Sequence, residues 1–163
     1  MRRFLSFVVS LVCLQALLSA QSVRHSFGIR AGNQFAVDYK VCFDGANALD
    51  VNAGVINPFT AWYQFTTLSG AYHRNFNTSV DRFQPYVGAG LSAGVQFGHW
   101  NRESKDKITY FMSADVPVGL EYTLRKHPVT FVFEWSPKFQ FLSDLRFIPH
   151  SVSIGVRFIF RRI

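Results

Sequence analysis

The sequence predicts an all-β chain: an eight-stranded antiparallel up-and-down transmembrane β-barrel over residues 21–163, preceded by a cleavable signal peptide over residues 1–20. Three observations predict it. The chain opens with a charged, then apolar, then small-residue segment. Long stretches downstream alternate apolar and polar residues. The polar parity is built of Gly, Ser and Thr with isolated charges, while the apolar parity carries large aromatics.

At the start, Met1-Arg2-Arg3 is basic, Phe4 to Leu18 is almost unbroken apolar sequence, and Ser19-Ala20 precede polar Gln21. This is the layout of a secretory signal cleaved after Ala20. The run is too short to span a bilayer, which takes about 20 residues. Val12 before Cys13 is bulky where lipoprotein processing needs a small residue, so a lipid anchor is not expected. Without Arg2 and Arg3, 15 of the 17 basic side chains remain against 10 acidic ones, a net charge of +5. Cys42 then stands alone and reads as a small buried residue.

Period two governs the rest, because side chains of a strand point to opposite faces in turn. Phe131, Phe133, Trp135, Phe139 and Phe141 share one parity, and Thr130, Glu134, Ser136, Lys138 and Gln140 the other. The same alternation sets Val118, Leu120 and Tyr122 against Gly119, Glu121 and Thr123. Near the end it sets Val152, Ile154, Val156 and Phe158 against Ser153, Gly155 and Arg157. Eight such segments are expected, at 24–32, 35–43, 47–56, 62–75, 84–98, 109–125, 128–141 and 149–161. A bulge is expected in the fourth, where the aromatics do not keep one parity. The joints alternate in kind. Short turns at Asp44-Gly45, Asn77-Thr78 and Lys126-His127-Pro128 fall at one end, and longer loops, including His99 to Lys107 and Ser143 to His150, at the other.

A soluble sandwich or small soluble barrel would bury the apolar face and wet the polar one. Small polar residues opposite large aromatics, in an exported chain, fit lipid outside and packed polar side chains inside. Closure also leaves no unpaired sheet edge in hydrocarbon. Helical spans would suit the charge-free stretches Val51 to His73 and Phe83 to Asn101, but Pro58 and a row of glycines oppose them. Gly88, Gly90 and Gly94 read instead as inward positions whose smallness leaves room for larger neighbours.

Phe27-Gly28-Ile29-Arg30-Ala31-Gly32, Pro85-Tyr86-Val87-Gly88-Ala89-Gly90, Gly119-Leu120-Glu121-Tyr122 and Glu134-Trp135-Ser136-Pro137, followed by the alternating last strand, occur in an order that resembles the small exported outer-membrane β-barrel proteins of the Bacteroidetes type. These share the eight-stranded architecture of OmpA- and OmpX-like barrels. The resemblance spans most of residues 24–160 and implies a Gram-negative outer-membrane location and this fold. It also implies outer-membrane lipid, lipopolysaccharide and the outer-membrane insertion machinery as partners, and it implies no catalytic residues.

The expected lumen network is Arg30, Asp38, Lys40, Asp50, Asp115, Glu121, Arg125, Glu134, Lys138 and Arg157. An eight-stranded barrel is only wide enough to be filled by side chains, so these charges should pair into a structural plug. His99, Trp100, Arg102, Lys105 and Lys107 form a candidate surface-binding loop for lipopolysaccharide phosphates. Trp62, Tyr63, Tyr86, Trp100, Tyr110 and Trp135 are expected in interfacial belts, with Arg161 and Arg162 at the membrane-water boundary. The likeness of Gly88-Ala89-Gly90-Leu91-Ser92-Ala93 to a dinucleotide fingerprint lacks the helix that phosphate binding requires. Scattered basic residues give no nucleic-acid patch. His25-Ser26 and His150-Ser151 are sequence neighbours and so face opposite ways on a strand. No catalytic, cofactor or metal residues are assigned. A monomer with a structural, envelope-maintenance or surface-binding role is expected, with a lipid A-modifying enzyme or a small solute pore as the alternatives.

Overall fold

The computed structural model describes residues 23–56, 64–78, 80, 82–98, 107–142 and 145–162. The signal segment 1–20 and the loop positions 99–106 lie outside them, as do Trp62 and Tyr63. Eleven strand segments follow one another: β1 (Arg24–Gly32), β2 (Gln34–Cys42), β3 (Asn47–Ile56), β4 (Gln64–Asn75), β5 (Phe83–Gly98), β6 (Lys107–Asp115), β7 (Val118–Thr123), β8 (Val129–Trp135), β9 (Lys138–Leu142), β10 (Arg146–Ile148) and β11 (Val152–Arg162).

Three pairs of these segments are single strands interrupted by proline. β6 runs into β7 across Val116-Pro117, β8 into β9 across Ser136-Pro137, and β10 into β11 across Pro149. Proline has no N–H to donate to a ladder, so each strand bends there. The carbonyls still bridge the gap: Gly88 N donates to Pro117 O (2.7 Å), Val116 N to Pro137 O (3.1 Å) and Ser136 N to Ser151 O (2.8 Å). With the three mergers, eight antiparallel strands remain, each paired with its sequence neighbours, and β1 pairs with β11 to close the barrel.

The register determines the barrel's shape. From Gln84, successive partners are Glu121, Val132, Gly155, Arg30, Ala36, Gly54 and Thr67, and the circuit returns to β5 at Gly94, ten residues further on. Ten residues at about 3.3 Å each, over eight strands about 4.8 Å apart, tilt the strands by roughly 40° and give a backbone cylinder about 8 Å in radius. Long side chains from opposite walls of such a cylinder meet on its axis.

The faces fall as the alternation requires. Phe133 is 53% exposed and Ile154 61%, whereas Glu121 is 3% and Arg157 1% exposed. Buried positions are mostly polar or charged, and the large hydrophobic side chains stand outside on every strand. The core of this molecule is hydrophilic.

Two expectations are corrected. β4 pairs without a break with both neighbours from Gln64 to Asn75, so it holds no bulge; Thr67, Ser69, Ala71, His73 and Asn75 face inward in strict alternation. Register shifts occur instead between His25 and Ser26 and between Met112 and Ser113. The stretch from Ser143 to His150, expected as a loop, contains β10, which pairs with β9.

Candidate functional site: the lumen charge network

Four basic and five acidic side chains, with His73, are buried in the barrel among the described residues, so nearly every charge can meet its opposite. The centre is a knot around two arginines. Arg30 on β1 donates to Glu134 Oε1 (2.6 Å) and Asp50 Oδ2 (2.6 Å), and lies 3.4 Å from Asp38 Oδ2. Arg157, from the adjacent strand β11, donates to Glu121 Oε1 (2.5 Å) and also to Asp38 and Asp50. Two guanidinium forks thus tie together carboxylates from β2, β3, β7 and β8. The planar, five-donor arginine head suits a site where one cation must satisfy several carboxylates at fixed angles.

Lys40 enters from the turn side of the knot, donating to Glu121 Oε1 (2.6 Å) and Asn75 Oδ1 (3.3 Å) with its ammonium 4.8 Å from the centre of the Tyr86 ring. Tyr86 donates its hydroxyl to Glu134 Oε2 (2.6 Å) and stacks on His73, ring centres 4.6 Å apart. The His73 Nδ1 is 3.9 Å from Asp50 Oδ2, beyond hydrogen-bond reach.

A second, smaller network lies nearer the loop end. Lys138 Nζ donates to Asp115 Oδ2 (3.0 Å) and Ser92 Oγ (3.2 Å), Ser113 Oγ donates to Asp115 Oδ1 (2.9 Å), and Ser92 bonds to both Asp115 and Ser69. A polar cavity of about 20 Å³, room for one water molecule, is lined by members of both networks. Arg30 Nε, Gln34 Oε1, Asn52 Oδ1 and His73 Nδ1, which have no hydrogen-bond partner, belong to residues of its lining.

Glycines make room for the large inward groups. A Cβ on Gly28 would come within 2.7 Å of Arg157 Cγ, on Gly88 within 2.7 Å of His73 Cδ2, on Gly155 within 3.0 Å of Arg30 Cγ, and on Gly119 would fall inside the Tyr86 ring's contact distance. Each lies beside its bulky partner on a neighbouring strand. The glycine row on the polar parity is therefore a set of sockets.

Of the ten expected lumen residues, nine lie in these two networks. Arg125 does not: β7 ends at Thr123, and Arg125 is exposed in the turn that follows, where the alternation no longer holds. Tyr86, expected in a belt, is 1% exposed in the lumen. Its parity is that of Gly88 and Gly90, so the alternation pointed inward where its aromatic character suggested a belt. His73 and Asn75 join the lumen beyond the expected set, and the inward row of β4 carries the signal for both; Ser92 and Ser113 lie on the polar parity of their strands. Trp135 and Tyr110 stand exposed as expected. The candidate loop residues His99, Trp100, Arg102 and Lys105 lie outside the described residues, and Lys107 opens β6, its side chain also outside them. Cys42 is buried, with Arg24 Nη2 3.7 Å from its sulfur.

No protein-family model and no curated protein matches the sequence. Solved structures share the fold. The N-terminal β-barrel domain of Pseudomonas aeruginosa OprF has a TM-score of 0.66 at 17% identity, covering 86% of this chain and 98% of that one. Neisserial surface protein A has a TM-score of 0.53 at 14% identity, covering 85% and 95%. The fold is a closed eight-stranded antiparallel barrel of the outer-membrane type. At such identities the likeness carries the fold, and the knot residues rest on the geometry given above.

Proposed function

We propose that this protein is an integral outer-membrane barrel, exported by its signal peptide, with a structural, envelope-maintenance or surface-binding role. The observation that carries the reading is the inverted distribution of polarity. A belt of exposed Phe, Ile, Leu and Val surrounds a lumen filled by paired charges. In water such a belt would cost about 25 cal/mol for every Å² of apolar surface left wet; in hydrocarbon that cost vanishes, and the closed ladder satisfies every strand's backbone. The knot fills the part of the lumen toward the turns with side chains that hold one another. This favours a role for the outer surface and loops over passage of solutes. Outer-membrane lipid and lipopolysaccharide are the partners this reading entails, with the insertion machinery during biogenesis and a monomer as the working unit.

Fractionation of cells expressing the full chain, with electrophoresis of boiled and unboiled samples, tests it. Recovery in the outer membrane with heat-modifiable migration is expected; recovery as a soluble periplasmic protein overturns the reading.

A further inference from the structure

We propose that the outer wall of the barrel carries a binding site for one anionic phospholipid, with its acyl chain in a groove over β7, β8, β11 and β1 and its phosphate at the turn joining β7 to β8. The inference rests on the membrane reading above.

The groove is a feature of this wall. Ile29, Leu120, Tyr122, Phe131, Phe133 and Ile154 line an apolar trough of about 540 Å³, within the roughly 300–1,000 Å³ typical of ligand clefts. It exists because Ala31 stands on the outer face among much larger side chains, next to Ile154 in the ladder. A flat lipid-facing strand wall lets chains slide along it; a trough of this volume holds one in place.

The groove meets a cluster of cations. Tyr122 pairs with Phe131 at its lower margin, and Thr123 pairs with Thr130 just beyond. The intervening turn carries Arg125, Lys126 and His127, all exposed. Arg82 is brought to the same place, since its carbonyl accepts from Thr123 N (3.2 Å) and the following Phe83 packs on Tyr122 with ring centres 4.8 Å apart. Arg82, Arg125 and Lys126 have no ion pair among the described residues. Inside the barrel every buried basic side chain is matched with a carboxylate. Among the described residues Arg24, Arg74 and Arg146 also stand without an ion pair; what singles out Arg82, Arg125 and Lys126 is that they gather at the foot of the apolar trough. Apolar trough and cationic foot together match the two halves of a phospholipid with a net negative headgroup. Tyr122 lies between them at the depth where an amphipathic ring favours the interface.

The test uses the full mature chain, folded and exchanged into nanodiscs of phosphatidylcholine alone or mixed with phosphatidylglycerol, with retained lipid counted by native mass spectrometry. One phosphatidylglycerol per barrel is expected, retained about tenfold in preference to phosphatidylcholine, given three clustered cations partly screened by salt. The variant R82Q/R125Q/K126Q should bring that preference close to parity. Ala31→Phe, which fills the trough, should lose the retained lipid whatever its headgroup, while Leu68→Phe on the far wall should keep it. Millimolar inorganic phosphate should leave the lipid bound. Equal retention of the two lipids, an unchanged preference in the triple variant, or displacement by free phosphate each overturns the site. A chain that forms no heat-modifiable barrel in phosphatidylcholine alone overturns the membrane reading; a folded, inserted barrel without headgroup preference overturns the lipid site only.

Discussion

Gly119 lies directly against the ring of Tyr86 in the barrel lumen, so that the absence of a side chain on β7 is what allows the phenol of β5 to reach Glu134 on β8. The pair shows how a narrow barrel accommodates a large polar interior: bulk on one strand is matched by a glycine on its neighbour.

Gly119→Ala should therefore destabilise the barrel although alanine suits a strand better than glycine does. The new methyl meets the Tyr86 ring on one side and the Phe133 carbonyl, 2.6 Å away, on the other. Overpacking of this kind costs about 1–3 kcal/mol. The temperature at which the folded band is lost on a gel should fall, and pairing the change with Tyr86→Ala should recover part of the loss. A neutral Gly119→Ala would show that the ring has room to move.

Removing Arg157 should be among the most damaging changes. Its guanidinium serves Asp38, Asp50 and Glu121 at once, and breaking a buried pair by deleting one partner costs about 3–5 kcal/mol. Arg157→Met should lower the unfolding free energy measured by urea titration in vesicles by that amount, and adding Asp50→Asn should restore a fraction by lowering the uncompensated charge. Additive losses in the double variant would mean that the two residues do not act as one network.

The outer wall should respond in the opposite sense to the lumen. Phe133 and Ile154 stand outside near mid-height, where Arg substitutions should cost about 2–4 kcal/mol in a bilayer. On a water-exposed face the same substitutions would be nearly neutral. Vesicle folding titrations of Ile154→Arg separate the two.

The turn between β2 and β3 supplies a pH-dependent contribution. Slight burial works to raise the Asp44 carboxyl's pKa, but hydrogen bonds from Asn47 N (2.6 Å), Asn47 Nδ2 (2.5 Å) and Ala46 N (3.0 Å), with Arg74 nearby, outweigh it and hold the group below its ordinary 3.8. A depressed carboxylate stabilises the fold above its unfolded value and loses that contribution as the pH falls through its folded one. Asp44→Ala should cost about 1 kcal/mol near neutrality, and the gap from the parent protein should close as the pH drops below 3.8. A gap that persists at low pH would assign the cost to the turn's backbone instead. Gly45, at φ 79°, occupies the left-handed region that suits glycine in this turn.

Alternation at period two was enough to separate the faces, because each strand touches only two environments and each side chain must choose one. That is why nine of the expected lumen residues, from Arg30 to Arg157, lie where the parity put them. Two expected positions moved: Arg125, past the last paired residue of β7, lies beyond the reach of the alternation, and Tyr86 follows its inward parity although its aromatic ring suggested a belt, with Gly119 making room for it. Which carboxylate meets which arginine depends on the ten-residue offset accumulated around eight strands, a property of closure that no single segment contains. That offset brings Asp50 and Arg157 into one knot from 107 residues apart. It also sets Ala31 of the first strand beside the aromatics of the sixth and seventh. Local pattern determined the two faces of every strand; only the closed register decided which residues meet across them.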